Sequence, residues 1–178
     1  ILLNVILSSF VSCIGLIWLE PILYAFGASK DTITHAYEYM QIILIGNVLT
    51  HIYFGLNNMF RSIGHPKISM IATIVSVAIN TILDPIFIFT FEMGVKGAAI
   101  ATIVSQLIAV LWQLKVFFNP KEVVHFNKEI WKLDKTLLHQ IIMIGMAPFL
   151  MNLAHCLVVI IINNQLKIFG GDIAIASY

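Results

Sequence analysis

Charge is what this sequence has least of. Aspartate, glutamate, lysine and arginine together make up 11% of the 178 residues, against roughly a quarter in an ordinary soluble domain. Hydrophobic residues reach 60%, and a soluble chain of this size would then expose more apolar surface than solubility tolerates. The shortage points to an integral membrane protein. The formal net charge is +1 and no basic patch is interleaved with aromatics, so nothing suggests a nucleic-acid partner. Only two cysteines are present; Cys13 and Cys156 lie in apolar segments without metal-type spacing and read as packing residues. Also missing are a zinc-type HExxH, a phosphate-cradling GxxxxGK[ST] and a GxSxG turn. The chain therefore reads as no enzyme.

A helix needs about 20 mainly apolar residues to cross a bilayer. Five segments qualify: residues 3–26, 37–60, 68–91, 97–118 and 138–166, the last with Pro148 inside it. The expected fold class is all-α, a polytopic transmembrane helix bundle. Residue 1 is Ile rather than Met, with no basic n-region of a signal peptide. At the other end GGDIAIASY reads as a glycine turn with Asp172 as N-cap of a sixth helix. The chain is thus expected to be an internal piece of a longer polytopic protein. Residues 119–136, NPKEVVHFNKEIWKLDKT, have the mixed charge and spaced apolar residues of a surface segment. Basic residues orient the spans. Arg61 and Lys67, with Lys121, Lys128, Lys132 and Lys135, fall on one side; Lys30, Lys96 and Lys167 fall opposite. Loops 61–67 and 119–136 are accordingly expected to be cytoplasmic.

Against this apolar background a few polar residues stand out. From Ile68 to Phe91 the one ionisable side chain is Asp84. An acid mid-span costs about 2.5–3.5 kcal/mol on insertion scales, so such residues face a bundle interior or a water cavity. Asn80 sits one turn earlier on the same face; Thr73 extends the stripe and Ser76 borders it. Pro85 has no N–H, which frees the carbonyl of Thr81. The result is an oxygen-rich patch of the kind with which discontinuous helices hold small cations. The competing reading is a protonated Asp84 that serves as an interhelical hydrogen-bond group.

Gly97, Ala101 and Ser105 recur every four residues, a small-residue ridge for close helix packing. Thr102, Gln106 and Gln113 form a polar strip beside it, readable as helix glue or as cavity lining. In the second span Asn47, Thr50, His51, Asn57 and Asn58 share one broad arc, a pattern suggesting a water-facing side, with Phe54 interrupting it. Asn152, His155 and Asn163 make a weaker stripe that reads as packing.

Four stretches together resemble one family, the multidrug and toxic compound extrusion (MATE) transporters: RSIGHPK at 61–67, NTILDPIFIF at 80–89, GVKGAAIATIVSQ at 94–106 and GGDIAIASY at 170–178. His65 departs from the acidic residue usual in that turn. The resemblance implies twelve helices in two six-helix lobes, of which this chain would hold helices three to seven and the start of eight. Residues 1–118 would then belong to the amino-terminal lobe, 119–136 to the cytoplasmic connection, and 137–178 to the start of the carboxy-terminal lobe. The DinF-like branch looks closest. By that resemblance Asn80, Asp84 and Thr102 would form a cation site for H+ or Na+, with Asp84 and Asn80 as metal ligands if the ion is sodium. Its other acid would lie on the first helix, before residue 1. Tyr39, Asn57 and Gln106 would line the substrate cavity.

The activity so implied is secondary antiport in the cell membrane, exporting amphipathic or cationic organic compounds in exchange for H+ or Na+, with no cofactor. Partners would be the organic substrate, membrane lipid and the remaining helices of a monomer. A lipid-linked sugar flippase of the same superfamily is the alternative. Such proteins tend to line their cavity with basic residues, whereas in these spans only Lys115 comes near, at a helix end where it can snorkel. A membrane-embedded enzyme with Asp84 as acid or base lacks a second catalytic group.

Overall fold

A computed structural model describes residues 2–30, 32–118 and 135–177, with side chains as far as 169. The elements are helices α1 (Leu2–Ile17), α2 (Leu19–Ala25), α3 (Ile33–Ser62), α4 (Pro66–Pro85), a π-helical turn (Ile86–Thr90), α5 (Val95–Phe117) and α6 (Lys135–Ser177). Among the described residues no strand occurs. Four helical stretches are long and apolar enough to cross a membrane, or five if α1 and α2 are counted as one broken span. The surface segment expected at 119–136 lies almost entirely outside the described residues.

Three expectations need correction. The first expected span is two helices, broken at Trp18. The third ends as a π turn, because Pro85 cannot donate to the helical ladder. The turn expected at Gly170 and Gly171, with Asp172 as N-cap, is absent: α6 runs on to Ser177. Glycine in a helix interior costs only about 1 kcal/mol relative to alanine, which apolar neighbours on both sides can offset.

Two compact units divide the chain. The first comprises Ile1–Leu19 and Thr34–His125, hence α1, α3, α4, the π turn and α5. Here α3 is the hub. An apolar cluster of Tyr53 and Leu56 on α3 with Ala109 and Val110 on α5 holds the middle. Nearby, the rings of Phe60 and Phe117 meet edge-on at 6.4 Å. Small residues do much of the remaining packing: Ser8 and Ser12 on α1, Ser69, Ala72 and Ser76 on α4, and Gly97, Ala101 and Ser105 on α5 are all buried. Lipid is as apolar as leucine, so helices in it associate through close van der Waals contact and hydrogen bonds. Several interior hydroxyls donate to carbonyls of their own helix, as Ser8 to Val5, Thr73 to Ser69 and Ser105 to Thr102. They thus enter the bundle already satisfied.

Longer hydrogen bonds tie α3 to each neighbour. Asn47 Nδ2 donates to Ser12 Oγ of α1 at 3.0 Å, and Tyr53 Oη lies 3.4 Å from Thr73 Oγ1 of α4. Towards the end of α3, Arg61 Nε donates to Ser69 Oγ at 3.0 Å, and Ser69 donates onward to Asn57 Oδ1 at 2.7 Å. The chain then turns: His65 N–H bonds the Phe60 carbonyl, and Pro66 opens α4 at a position where no N–H is needed.

The second unit, Glu20–Ile33 with Phe126–Tyr178, contains α2 and α6. Helix α2 ends in a Schellman motif. Gly27 adopts φ 99°, Ala28 N–H bonds Leu23 O, and Gly27 N–H bonds Tyr24 O. The leftover carbonyls are capped from α6: Asn164 Nδ2 reaches Ala25 O, Asn163 Nδ2 reaches Phe26 O, and Lys167 Nζ reaches Ala28 O. Asn163 is therefore a packing group, in line with the reading of its stripe.

Ser69→Ala would leave Asn57 Oδ1, buried, without its donor. A buried unsatisfied acceptor costs about 1–3 kcal/mol, so the melting midpoint of the detergent-solubilised protein should fall. Ser62→Ala, which removes an exposed bond to Asn58 O, should leave the midpoint nearly unchanged.

Candidate functional site

Asp84 lies at the last turn of α4, immediately before Pro85. Its carboxylate is half-buried, and Oδ1 accepts a hydrogen bond from Asn80 Nδ2 at 3.0 Å. The same amide nitrogen stands 3.5 Å from Thr102 Oγ1 on α5. Thr102 in turn donates to Ala98 O, which leaves its lone pairs facing the amide. Asn80, Asp84 and Thr102, drawn from two helices, thus form one cluster. Among the described residues no lysine or arginine pairs with Asp84.

The backbone adds to this patch. Without an N–H on Pro85 the Thr81 carbonyl has no amide four residues on. Beyond the proline the ladder changes register: Ile86 N–H bonds Leu83 O, and Phe91 N–H bonds Ile86 O. π turns inside helices occur frequently at functional sites. A carboxylate, a hydroxyl, an amide and a freed carbonyl are all hard oxygen donors or can present one. Such a set suits a proton or a hard monovalent cation and not a soft metal. Correspondingly, among the described residues no group of three His, Cys, Asp or Glu side chains could hold a metal ion.

The other candidates that the sequence singles out are dispersed along the bundle. Gln106 lies one turn beyond Thr102, and its Oε1 accepts from Thr50 Oγ1 at 2.7 Å. Asn57 is buried, with Nδ2 on Tyr53 O and Oδ1 taken by Ser69. Tyr39 is half-buried near the start of α3. The polar arc of α3 is only in part the exposed side its pattern suggested: Asn58 is exposed, but three other members turn to neighbouring helices. Asn47, Thr50 and Asn57 are spent on three different neighbouring helices. A helical wheel separates polar from apolar faces but does not distinguish solvent from a polar partner. Gln113 is wholly buried, and neither of its amide atoms has a hydrogen-bond partner in the described residues.

Sequence reasoning missed the Arg61–Ser69–Asn57 relay and the contact made by Gly97. A Cβ at Gly97 would lie 2.8 Å from both the carbonyl carbon and oxygen of Phe87, in the π turn. The four-residue ridge was the available signal, but it did not name the surface opposite. At the same end of the unit, Lys96 pairs with Glu38 at 2.9 Å beside an open cleft of about 420 Å³ that His35, Glu92 and Met93 also line. The pair is partly exposed and contributes little to stability.

A family model described as MatE matches residues 1–86. The multidrug export protein MepA of Staphylococcus aureus (strain bovine RF122 / ET3-1) is 33% identical over 175 residues, 98% of this chain and 39% of the relative. MepA of Staphylococcus haemolyticus is 34% identical over the same length, 38% of that relative. The chain therefore spans about 39% of the curated relatives it matches. Among solved structures, an inward-facing multidrug resistance MATE family transporter of the MOP superfamily superposes with a TM-score of 0.90 at 25% identity, over 98% of this chain and 40% of that one. The MATE multidrug transporter DinF-BH gives 0.84 at 30% identity, over 95% and 38%.

Asn80→Leu keeps the side-chain bulk but strips Asp84 of its amide donor. A hydrogen bond to a charged group contributes about 1.5–3 kcal/mol, so thermal unfolding in detergent at neutral pH should shift clearly downward. Thr81→Val, which loses an exposed bond to Val77 O, should shift it little.

Proposed function

Because this chain belongs to the multidrug and toxic compound extrusion family, we propose that it supplies the cation-handling helices of a secondary antiporter. The exported molecules are amphipathic, often cationic, organic compounds, and the driving ion is H+ or Na+. The observation that carries this reading is the Asn80–Asp84–Thr102 cluster. Its carboxylate pairs with no cationic side chain among the described residues and is joined to a second helix by one amide.

In this reading Asn80 stands in for the ion. With the site empty, its N–H bond stabilises the charge on Asp84. When sodium enters, a rotation of the amide presents Oδ1 instead, and the ion gathers Asp84, Asn80, Thr102 Oγ1 and the Thr81 carbonyl. A proton would neutralise Asp84 directly. Either event changes the charge where α4 meets α5. A ligand shifts a conformational balance only by its unequal affinity for the two states. Cation binding favours one arrangement of the helices and organic substrate the other.

Residues 1–118 fall in the amino-terminal lobe, 119–136 in the connection and 137–178 in the start of the second lobe. The lysine and arginine bias supports cytoplasmic loops at 61–67 and 119–136 in a cell-membrane protein. Tyr39, Asn57 and Gln106 supply polar lining for the substrate. Thr50 and Ser69 hold Gln106 and Asn57 in place, and Asn57 joins the lining when the surrounding helices part.

A full-length transporter carrying this sequence, reconstituted in vesicles, should expel a cationic dye when a proton or sodium gradient is imposed. Asp84→Asn should abolish that efflux while leaving expression intact. Undiminished transport in this variant would refute the role given to Asp84.

A further inference from the structure

Near the Asp84 cluster, α5 meets the turn that follows α4 at a residue with no side chain. Gly97 is buried on α5, five residues before Thr102. Opposite it lies the Phe87 peptide, three residues after Asp84. An added Cβ would stand 2.8 Å from Phe87 C and O and 3.1 Å from Ile88 N. All three are backbone atoms, so no rotamer change can clear them. The turn is held from its other side as well. Met93 N–H bonds Phe87 O at 3.1 Å, and Gly97 N–H bonds Gly94 O at 3.0 Å. Between these bonds the connection is tight, with Glu92 at φ 54° and Gly94 at φ 56°.

We infer that Gly97 is a positioning residue for the Asp84 cluster: by admitting the Phe87 peptide it keeps the end of α4 close enough to α5 for Asn80 to reach Thr102. The magnitudes support this. Relieving an alanine methyl means taking the contact from 2.8 Å to an ordinary 3.4 Å. The Asn80–Thr102 approach is already 3.5 Å, at the outer limit of a hydrogen bond. Widening at Gly97 therefore separates the α5 oxygen from the α4 carboxylate before it disturbs the apolar cluster of Tyr53, Leu56, Ala109 and Val110 further along α5. The inference rests on the cation-site reading above.

The test compares Gly97→Ala with the parent and with Gly145→Ala in the full-length transporter in vesicles. Gly145 has open space where its Cβ would go, so it controls for helix propensity. The quantity read is the sodium or proton concentration giving half-maximal dye efflux, alongside the melting midpoint. Gly97→Ala should raise that concentration about tenfold, the equivalent of one good hydrogen bond lost at the ion. Gly145→Ala should leave it unchanged. A folded Gly97→Ala protein with parental cation dependence overturns the inference. Where Gly97→Ala does not accumulate folded, Ala101→Val swells the same buried ridge one turn on, and the same two outcomes apply. Asp84→Asn is run in parallel. If it transports like the parent, the cation-site reading fails and the role of Gly97 with it. If it is inactive while Gly97→Ala is unshifted, the inference about Gly97 alone fails.

Discussion

At Gly97 one helix lies against the peptide backbone of another with no side chain between them. Much of the first unit depends on approaches of this kind. Its helices cannot rely on expulsion of water to hold them together in hydrocarbon, so they use close contact and interhelical hydrogen bonds. Small residues on α4 and α5 permit the contact: Ser69, Ala72 and Ser76 on one, Gly97, Ala101 and Ser105 on the other. Pro85 makes the same region irregular, and the π turn accommodates the missing donor. Close packing and a broken ladder therefore coincide next to the one acid of the span.

Polar side chains in this bundle serve two ends, and their partners tell them apart. Asn47, Thr50 and Asn57 are closed on neighbouring helices through Ser12, Gln106 and Ser69. A buried amide left open costs about 1–3 kcal/mol, so these pairings are what a stable bundle requires. Asp84 is different. It retains one amide donor and no cationic partner among the described residues. A carboxylate is expensive in the membrane, and a structural role would be served better by serine or asparagine. This carboxyl without a cationic partner is why we propose this cluster, rather than the more polar α3, as the place where an ion acts.

Much of this was legible before any coordinates. The scarcity of charge identifies the solvent as lipid, and apolar runs of span length locate most of the helices. Asp84, Asn80 and Pro85 were readable because helical spacing superposes residues four apart and proline has a known defect. Helical spacing put Thr102 on a polar strip, but only the resemblance to the family joined it to Asp84. Other features were not legible. The first span breaks at Trp18, between Gly15 and Pro21, and the long apolar run around them obscures that breaker signal. Gly170 and Gly171 look like a turn yet lie within α6, since local propensity is weak beside the drive to keep backbone groups bonded in an apolar setting.

By itself, then, the order of residues determined that this is a helical membrane protein with an acid and a proline joined inside one span. Composition and helical period carry that information locally. Only the tertiary structure decided which polar groups face each other, that α3 turns two amides and a hydroxyl to three neighbours, and that Asn80 bridges to Thr102 on α5. The physical reason is that a polar face is compatible with water or with a partner. The choice depends on how near another helix can come, and here that distance is decided at small residues such as Gly97, whose importance is visible only from the backbone opposite.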